Sequence, residues 1–446
     1  MVVSVYRNLI MIQRILLVST LLFSTSWLAC AQFAIRDGDR VVFLGDSITE
    51  QRLYTTYIEA YALTRHPLWK LSFRNVGWGG DTAWLRQRAH PDEAKLFAAE
   101  DDAQQRTVED SVGKGLSRDV LPLNPTFVTI KFGMNDHSYQ KFRPDIFKAY
   151  TRSQSQLQKV LSGAGARVSF LTPQPIEDKR PDPDQDIRNQ SLRKFSDGLK
   201  QVAQEHGAGF VDQFDPYMAV MMAERAKDPK AFIGGGDAVH PGPAGHTIMA
   251  WAVLKGLGAT APVSSASITV PSGSAKSSGC KVERVAVSGS GVSFDRIDEA
   301  LPFPVDERAE PALKIAPILE DLSQYELGVS GLASGSYEIL IDGESVMKTD
   351  ADALKKGINL SNNAGSITKQ SRELLGEVFK KNNVYFRRWR EVQLYSFPSW
   401  AQGGEVESGR RAELKKLDDE VADSESKIES LRKPVIHHFE IKRVSP

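Results

Sequence analysis

Between Arg40 and Leu257 short apolar runs alternate with longer helix-like ones, a rhythm that few folds accept. The apolar runs are Arg40–Leu44, Leu71–Val76, Phe127–Phe132, Arg167–Leu171 and Gly209–Val211. They are short and partly β-branched, as strands buried between helices should be. Tyr54–Thr64, Asp145–Leu161, Asn189–Glu205 and Ala244–Leu257 read as the intervening helices. This alternation predicts an α/β fold with a parallel sheet covered on both faces. Arg86–Arg118 is highly charged and longer than a simple crossover needs. It is expected to be an inserted helix at the rim of the site.

A length of 446 residues exceeds what this alternation occupies and suggests a second domain. After Gly258 the composition changes. Residues 261–279 are rich in Ser, Ala and Gly and read as a linker or a loose strand connection. Residues 280–446 read as an accessory module, β-rich and then helical. Its strand candidates are Val282–Val287, Tyr325–Val329 and Tyr337–Ile341, the last entering an Asp342-Gly343 hairpin signal. Ser371–Arg390 and Glu413–Lys433 read as helices. In the second, Leu414, Leu417, Val421, Ile428 and Leu431 form a stripe over only three heptads. That favours packing on its own chain over a coiled-coil dimer seam.

Residues 1–31 read as a signal peptide. Arg7 and Arg14 flank the start of the apolar run Ile15–Phe23, and Ala29-Cys30-Ala31 is a small-x-small cleavage site. The segment from Met11 is already a complete signal. Residues 32–260 are then the first domain of an exported protein. Trp27 and Leu28 disfavour a lipoprotein, because a lipid-attachment box wants an aliphatic and a small residue there. If Cys30 leaves, Cys280 is alone and an intramolecular disulfide is excluded. No later stretch is long and apolar enough to span a bilayer. Lys plus Arg equals Asp plus Glu at 56 each, and no basic stripe is interleaved with aromatics, so nothing points to nucleic acid.

The chemistry-bearing residues fall where the predicted strands end. Ser47, in Gly45-Asp46-Ser47-Ile48, follows the first strand, at the sheet edge where open α/β sheets bind ligands. A serine hydroxyl is a poor nucleophile until a base takes its proton. His240 is the candidate base, and Asp237, three residues earlier, can orient its imidazole. Acyl transfer also needs donors for the developing oxyanion. Gly77-Trp78-Gly79-Gly80-Asp81-Thr82 follows the second strand and offers a backbone N–H, best at Gly80. Gly133-Met134-Asn135-Asp136 follows the third and offers the Asn135 amide. Alone, each motif reads as an ordinary turn or helix cap; four in order at one sheet edge read as an active site. No spaced His/Asp/Glu cluster argues for a metal, and no cofactor is expected.

These four blocks, Gly45-Asp46-Ser47, Gly77-x-x-Gly80-Asp81-Thr82, Gly133-x-Asn135-Asp136 and Asp237-x-x-His240, resemble those of the SGNH hydrolases, the GDSL esterase/lipase family. The resemblance covers residues 35–258. It implies a three-layer α/β/α, flavodoxin-like fold. It implies Ser47 as nucleophile, His240 as base and Asp237 as its partner. The oxyanion hole would be the N–H groups of Ser47 and Gly80 with the Asn135 side chain. Met134 departs from the pattern, which often has a small residue there, and is expected to reshape the pocket. Trp78, Met134, His137 and Tyr139 are candidate substrate-binding residues. Trp78, Trp84 and Tyr139 either stack on sugar rings or pack the sheet edge. The family includes exported carbohydrate esterases, so the expected substrate is an acylated carbohydrate and the reaction removal of O-acetyl groups. The alternatives are a short-chain acylesterase or lipase-like hydrolase acting on another small ester, and a carbohydrate-binding or scaffold protein with secondary esterase activity.

Overall fold

Val41, Val42, Phe43 and Leu44 are all buried, so the strand they form must be covered on both faces. The computed structural model describes residues 32–98, 102–178, 180, 182–289 and 291–444, and it shows how this is done. The signal-peptide segment lies outside the described residues. The first half of the chain runs β1 (Arg40–Gly45), α1 (Leu53–Arg65), β2 (Ser72–Asn75), α2 (Asp102–Asp119), β3 (Phe127–Lys131) and α3 (Pro144–Gly163). It continues with β4 (Arg167–Leu171), α4 (Ile187–His206), β5 (Gly209–Val211), α5 (Phe214–Lys227) and α6 (Pro243–Gly256). The strands pair in parallel in the order β2-β1-β3-β4-β5, the flavodoxin-like arrangement.

Alternation along the strands divides the core. Val41, Phe43 and Phe127 pack with α1 and α6 residues such as Ile58 and Ile248. Val42, Leu44, Val128 and Ile130 face Val112 and Leu116 of α2 and Leu157 of α3. This corrects the expectation for Arg86–Arg118. Its main helix, α2, is the crossover that covers the sheet between β2 and β3. Every third or fourth residue of α2 (Val108, Val112, Leu116) is apolar and buried.

Residues 261–279 are not a linker. They form β6 (Pro262–Thr269) and β7 (Ser274–Ser278). The small residues of β7 are exposed, but Val263, Ala266 and Ile268 of β6 are buried. The chain goes on through β8 (Cys280–Ser288), β9 (Gly291–Asp298), β10 (Gln324–Ser330), β11 (Ser336–Ile341), β12 (Glu344–Asp350) and β13 (Ile358–Asn359). Then come α7 (Ser366–Phe386), α8 (Gly404–Leu431) and β14 (Ile436–Arg443). These strands make two sheets, β13-β10-β6-β7 and the antiparallel β12-β11-β14-β9-β8. Their core holds Ile268, Phe294, Tyr325, Ile339 and Phe439. Asp342 and Gly343 both have positive φ, 53° and 83°, as the primed turn of the β11–β12 hairpin requires.

α7 and α8 leave this β module and close the exposed edge of the first sheet. On α7, the Asn382 amide donates to Thr56 Oγ1 at 3.0 Å and Lys381 pairs with Glu59. Arg74 of β2 pairs with Glu425 of α8 at 2.8 Å. Leu417 and Val421 of α8 sit in the same cluster as Val42 and Leu44, so the stripe on this helix packs on its own chain. Covering β2 in this way removes an open strand edge. No helix among the described residues is long and apolar enough to cross a membrane.

Candidate active site

The chain leaves β1 at Gly45 and turns at once into a short helix, Ser47–Glu50, capped by Asp46, whose Oδ1 accepts the Ile48 N–H at 3.0 Å. Ser47 therefore stands at the carboxyl end of β1. Its Oγ lies 2.8 Å from His240 Nε2, and His240 Nδ1 lies 3.1 Å from Asp237 Oδ2. With the Nδ1 proton facing Asp237, Nε2 is left to accept from the serine hydroxyl. The Asp237–His240 turn is tight. Asp237 Oδ1 accepts the backbone N–H groups of Val239 and His240 at 2.8 and 2.7 Å. Gly236 precedes it at φ 71°, and a Cβ there would stand 2.2 Å from the His240 carbonyl oxygen, so only glycine fits. Burial pushes the Asp237 carboxyl up, but the two N–H donors and His240 outweigh it and hold the group below the usual range. The carboxyl is thus held in its anionic form facing the imidazole. The His240 side chain is 37% exposed and open to a ligand.

Two loops meet beside Ser47. Gly77 lies where a Cβ would stand 2.3 Å from the Glu50 nitrogen, which lets its loop close against the serine helix. A Cβ on Gly79 would be 4.0 Å from Ser47 Cβ, so Gly79 lies beside the nucleophile, and Gly80, next to it at φ 75°, has room for a Cβ only against Gln87 Nε2 at 3.0 Å. Asn135 Nδ2 donates to the Asp81 carbonyl at 2.9 Å, while its Oδ1 accepts from the Tyr139 hydroxyl at 3.1 Å. The amide is held at both ends, and its second N–H has no partner among the described residues. Asp136 ties the loops together, with Oδ1 on the Ala83 N–H at 2.8 Å and Oδ2 on the Gly133 N–H at 2.9 Å. Complete burial raises its carboxyl to about 7 against the pull of those donors. Beneath lies Arg88, fully buried, with Nε on Asp81 and Nη1 on Asp119, both at 2.7 Å.

The structure brings Ser47, Asp237, His240, Asn135 and the Gly77–Gly80 loop to one sheet edge. The candidate substrate contacts divide. Tyr139 is 41% exposed. Trp78 is half-buried under Arg390, whose guanidinium carbon is 3.7 Å from the ring centroid. Met134 and His137 are buried, so neither presents a surface to a ligand. Met134 belongs to the hydrophobic core, and His137 Nδ1 is 3.1 Å from the Gly133 carbonyl oxygen. Burial lowers the His137 imidazole to about 4. Trp84 is a core residue, its Nε1 donating to Glu93 at 2.8 Å. Sequence reasoning missed Glu50, Arg88 and Arg390, which hold the loops. Glu50 stood next to the first block, but nothing local marks Arg390.

A second Ser-His-Asp grouping occurs in the β module. There Ser366 and Asp342 both approach Nδ1 of His437, at 3.1 and 2.7 Å, so the imidazole cannot pass a proton between them. Among the described residues no group of three His, Cys, Asp or Glu is placed to hold a metal ion.

The model of the GDSL-like lipase/acylhydrolase family matches residues 43–248, a span that includes all four blocks. The acetylxylan esterase of Geobacillus stearothermophilus is 27% identical over 235 residues, 50% of this chain and 96% of that enzyme. A solved structure of a gut microbial diltiazem-metabolizing enzyme aligns over 92% of this chain and 98% of its own, with 24% identity and a TM-score of 0.75. That likeness is one of fold, and it takes in the β module as well as the parallel sheet. Residues 43–248 match the GDSL-like lipase/acylhydrolase family, that of the SGNH hydrolases, and the chain is an ester-hydrolysing serine hydrolase.

Proposed function

We propose that the chain is an exported carbohydrate O-acetylesterase working through Ser47, His240 and Asp237. The observation that carries this reading is the unbroken line from Ser47 Oγ through His240 to Asp237, at 2.8 and 3.1 Å. His240 Nε2 takes the Ser47 proton as Oγ attacks the ester carbonyl. The oxyanion is received by the Ser47 and Gly80 N–H groups and the second N–H of Asn135. His240 returns the proton to the departing sugar hydroxyl. It then activates the water that releases acetate and frees Ser47. Asn135→Ala is expected to keep the fold and lower kcat about 10²–10³-fold. Unchanged turnover in that variant would remove Asn135 from the mechanism.

The carbohydrate reading rests on the similar acetylxylan esterase and on a groove beside Asp237. This groove of about 610 Å³ is lined by Glu177, Asp178, Lys230, Phe232, Gly236 and Ala238. An exposed aromatic ring with charged neighbours suits a sugar better than an acyl chain. Phe232→Ala is expected to raise KM for an acetylated oligosaccharide about fivefold more than KM for nitrophenyl acetate. Equal effects on both substrates would take the sugar out of the groove. Export rests on Arg7, Arg14, the run Ile15–Phe23 and Ala29-Cys30-Ala31. The deciding experiment is acetate release from a panel of acetylated polysaccharides, beside short and long nitrophenyl esters, with Ser47→Ala as blank. Release from one glycan supports the assignment. Activity on nitrophenyl esters alone would leave a short-chain acylesterase.

A further inference from the structure

The loop that carries Gly80 is braced by the other half of the chain. α7 ends in a turn of π-helix, Arg387–Gln393. Such turns are rare and recur at functional sites. This one brings two consecutive residues, Trp389 and Arg390, to the same ring. Trp389 meets Trp78 edge to face at 6.0 Å, and the Arg390 guanidinium lies over it at 3.7 Å. Arg390 Nε is also 3.7 Å from Glu50 Oε1, an ion pair without a direct hydrogen bond. The other oxygen, Glu50 Oε2, accepts the Gly79 N–H at 3.0 Å. A second link runs parallel to it. Arg52 donates to the Glu50 carbonyl at 2.6 Å and to Asn383 of α7 at 3.0 Å, and stacks on Phe386 at 4.1 Å.

We propose that Arg390 is a positioning residue of the active site, acting through Glu50 and Trp78 to hold the Gly79–Gly80 backbone where its N–H meets the oxyanion. The inference rests on the reading of Ser47 and Gly80 given above. It makes the C-terminal half a working part of the hydrolase rather than a separate binding module. Burial raises the Glu50 carboxyl, and the opposing charges are Arg390 first, then Arg52 and Arg88, with the Gly79 N–H between them. Removing Arg390 removes the largest opposing charge. Glu50 then takes up its proton at higher pH, and a neutral carboxyl is the weaker acceptor for Gly79.

The test uses the full chain with nitrophenyl acetate as substrate. In Arg390→Gln, kcat is expected to fall about tenfold with KM little changed, since small misplacement of a donor costs rate rather than binding. The acid limb of its pH–rate profile is expected to move to higher pH. Arg390→Lys should restore most of the rate. Glu50→Gln leaves the π turn untouched and should lower kcat to a similar degree. Adding Arg390→Gln to it should cost little more and move no limb, because both act through one link. Wild-type kcat and acid limb in Arg390→Gln, with Ser47→Ala inactive, would overturn this inference and leave the nucleophile standing. A lowered melting temperature with an unmoved acid limb would reduce Arg390 to a structural role and overturn it equally. Turnover surviving in Ser47→Ala would bring down both readings.

Discussion

Ser47→Ala should lose at least roughly ten-thousand-fold in kcat while unfolding at the same temperature as the parent. The exchange removes one oxygen and leaves the Asp46 cap and the buried neighbours of the serine helix in place. His240 then has no hydroxyl to deprotonate, and the Asp237–His240 couple has nothing to act on. What remains is the acceleration from the oxyanion donors and binding alone, a factor of about 10³–10⁴ over water. An organophosphonate that labels the parent should leave this variant unlabelled. Full activity in Ser47→Ala would end the mechanism outright.

Arg88→Leu should be the most damaging change away from the reacting atoms, lowering stability by about 3–5 kcal/mol. Arg88 lies at zero side-chain exposure between Asp81 and Asp119, also at zero. Leucine fills part of the space but leaves Asp81 buried without its cation and Asp119 with Arg118 alone. Burial already raises the Asp81 carboxyl, and Arg88 is the largest influence opposing that rise. The loss should appear as a lower urea midpoint, and it should shrink when Asp81 and Asp119 are also replaced by asparagine. A midpoint equal to that of the parent would show that the buried cluster contributes nothing net.

The parallel sheet was legible because both of its signals are local. Val41–Leu44 is apolar throughout, Phe127–Ile130 is interrupted only by Thr129, and the helices between the strands carry their stripes within one or two turns of chain. The four site blocks were legible for a related reason, since each sits directly after a strand or before a helix. The charge of Arg86–Arg118 misled because α2 spends its few apolar residues on one narrow face. Ser274–Ser278 reads as a linker because β7 buries nothing and is a strand only by virtue of its partner. β14 was written in plain alternation, His437, Phe439 and Ile441 inward, but lies beyond the last helix and pairs with strands far back in the chain. Arg390 gave no sign at all. Its meaning depends on Trp78 and Glu50, more than three hundred residues away, which meet it only after α7 has docked.

The position of β14 has a consequence for how this protein comes into being. It lies inside its sheet, hydrogen-bonded to β9 on one side and β11 on the other, yet it is made after every other described element. Synthesis delivers the whole parallel sheet first, and that half can begin to fold while the rest is still emerging. The β module cannot close until the final strand arrives, and such long-range pairing is slow. α7 and α8 are strung between β13 and β14, so their seating waits on the same event. A nascent or prematurely ended chain would hold its serine, histidine and aspartate without the wall behind them. β14 therefore acts as a completion signal, delaying full competence until Ile436–Arg443 has taken its place between its two partners.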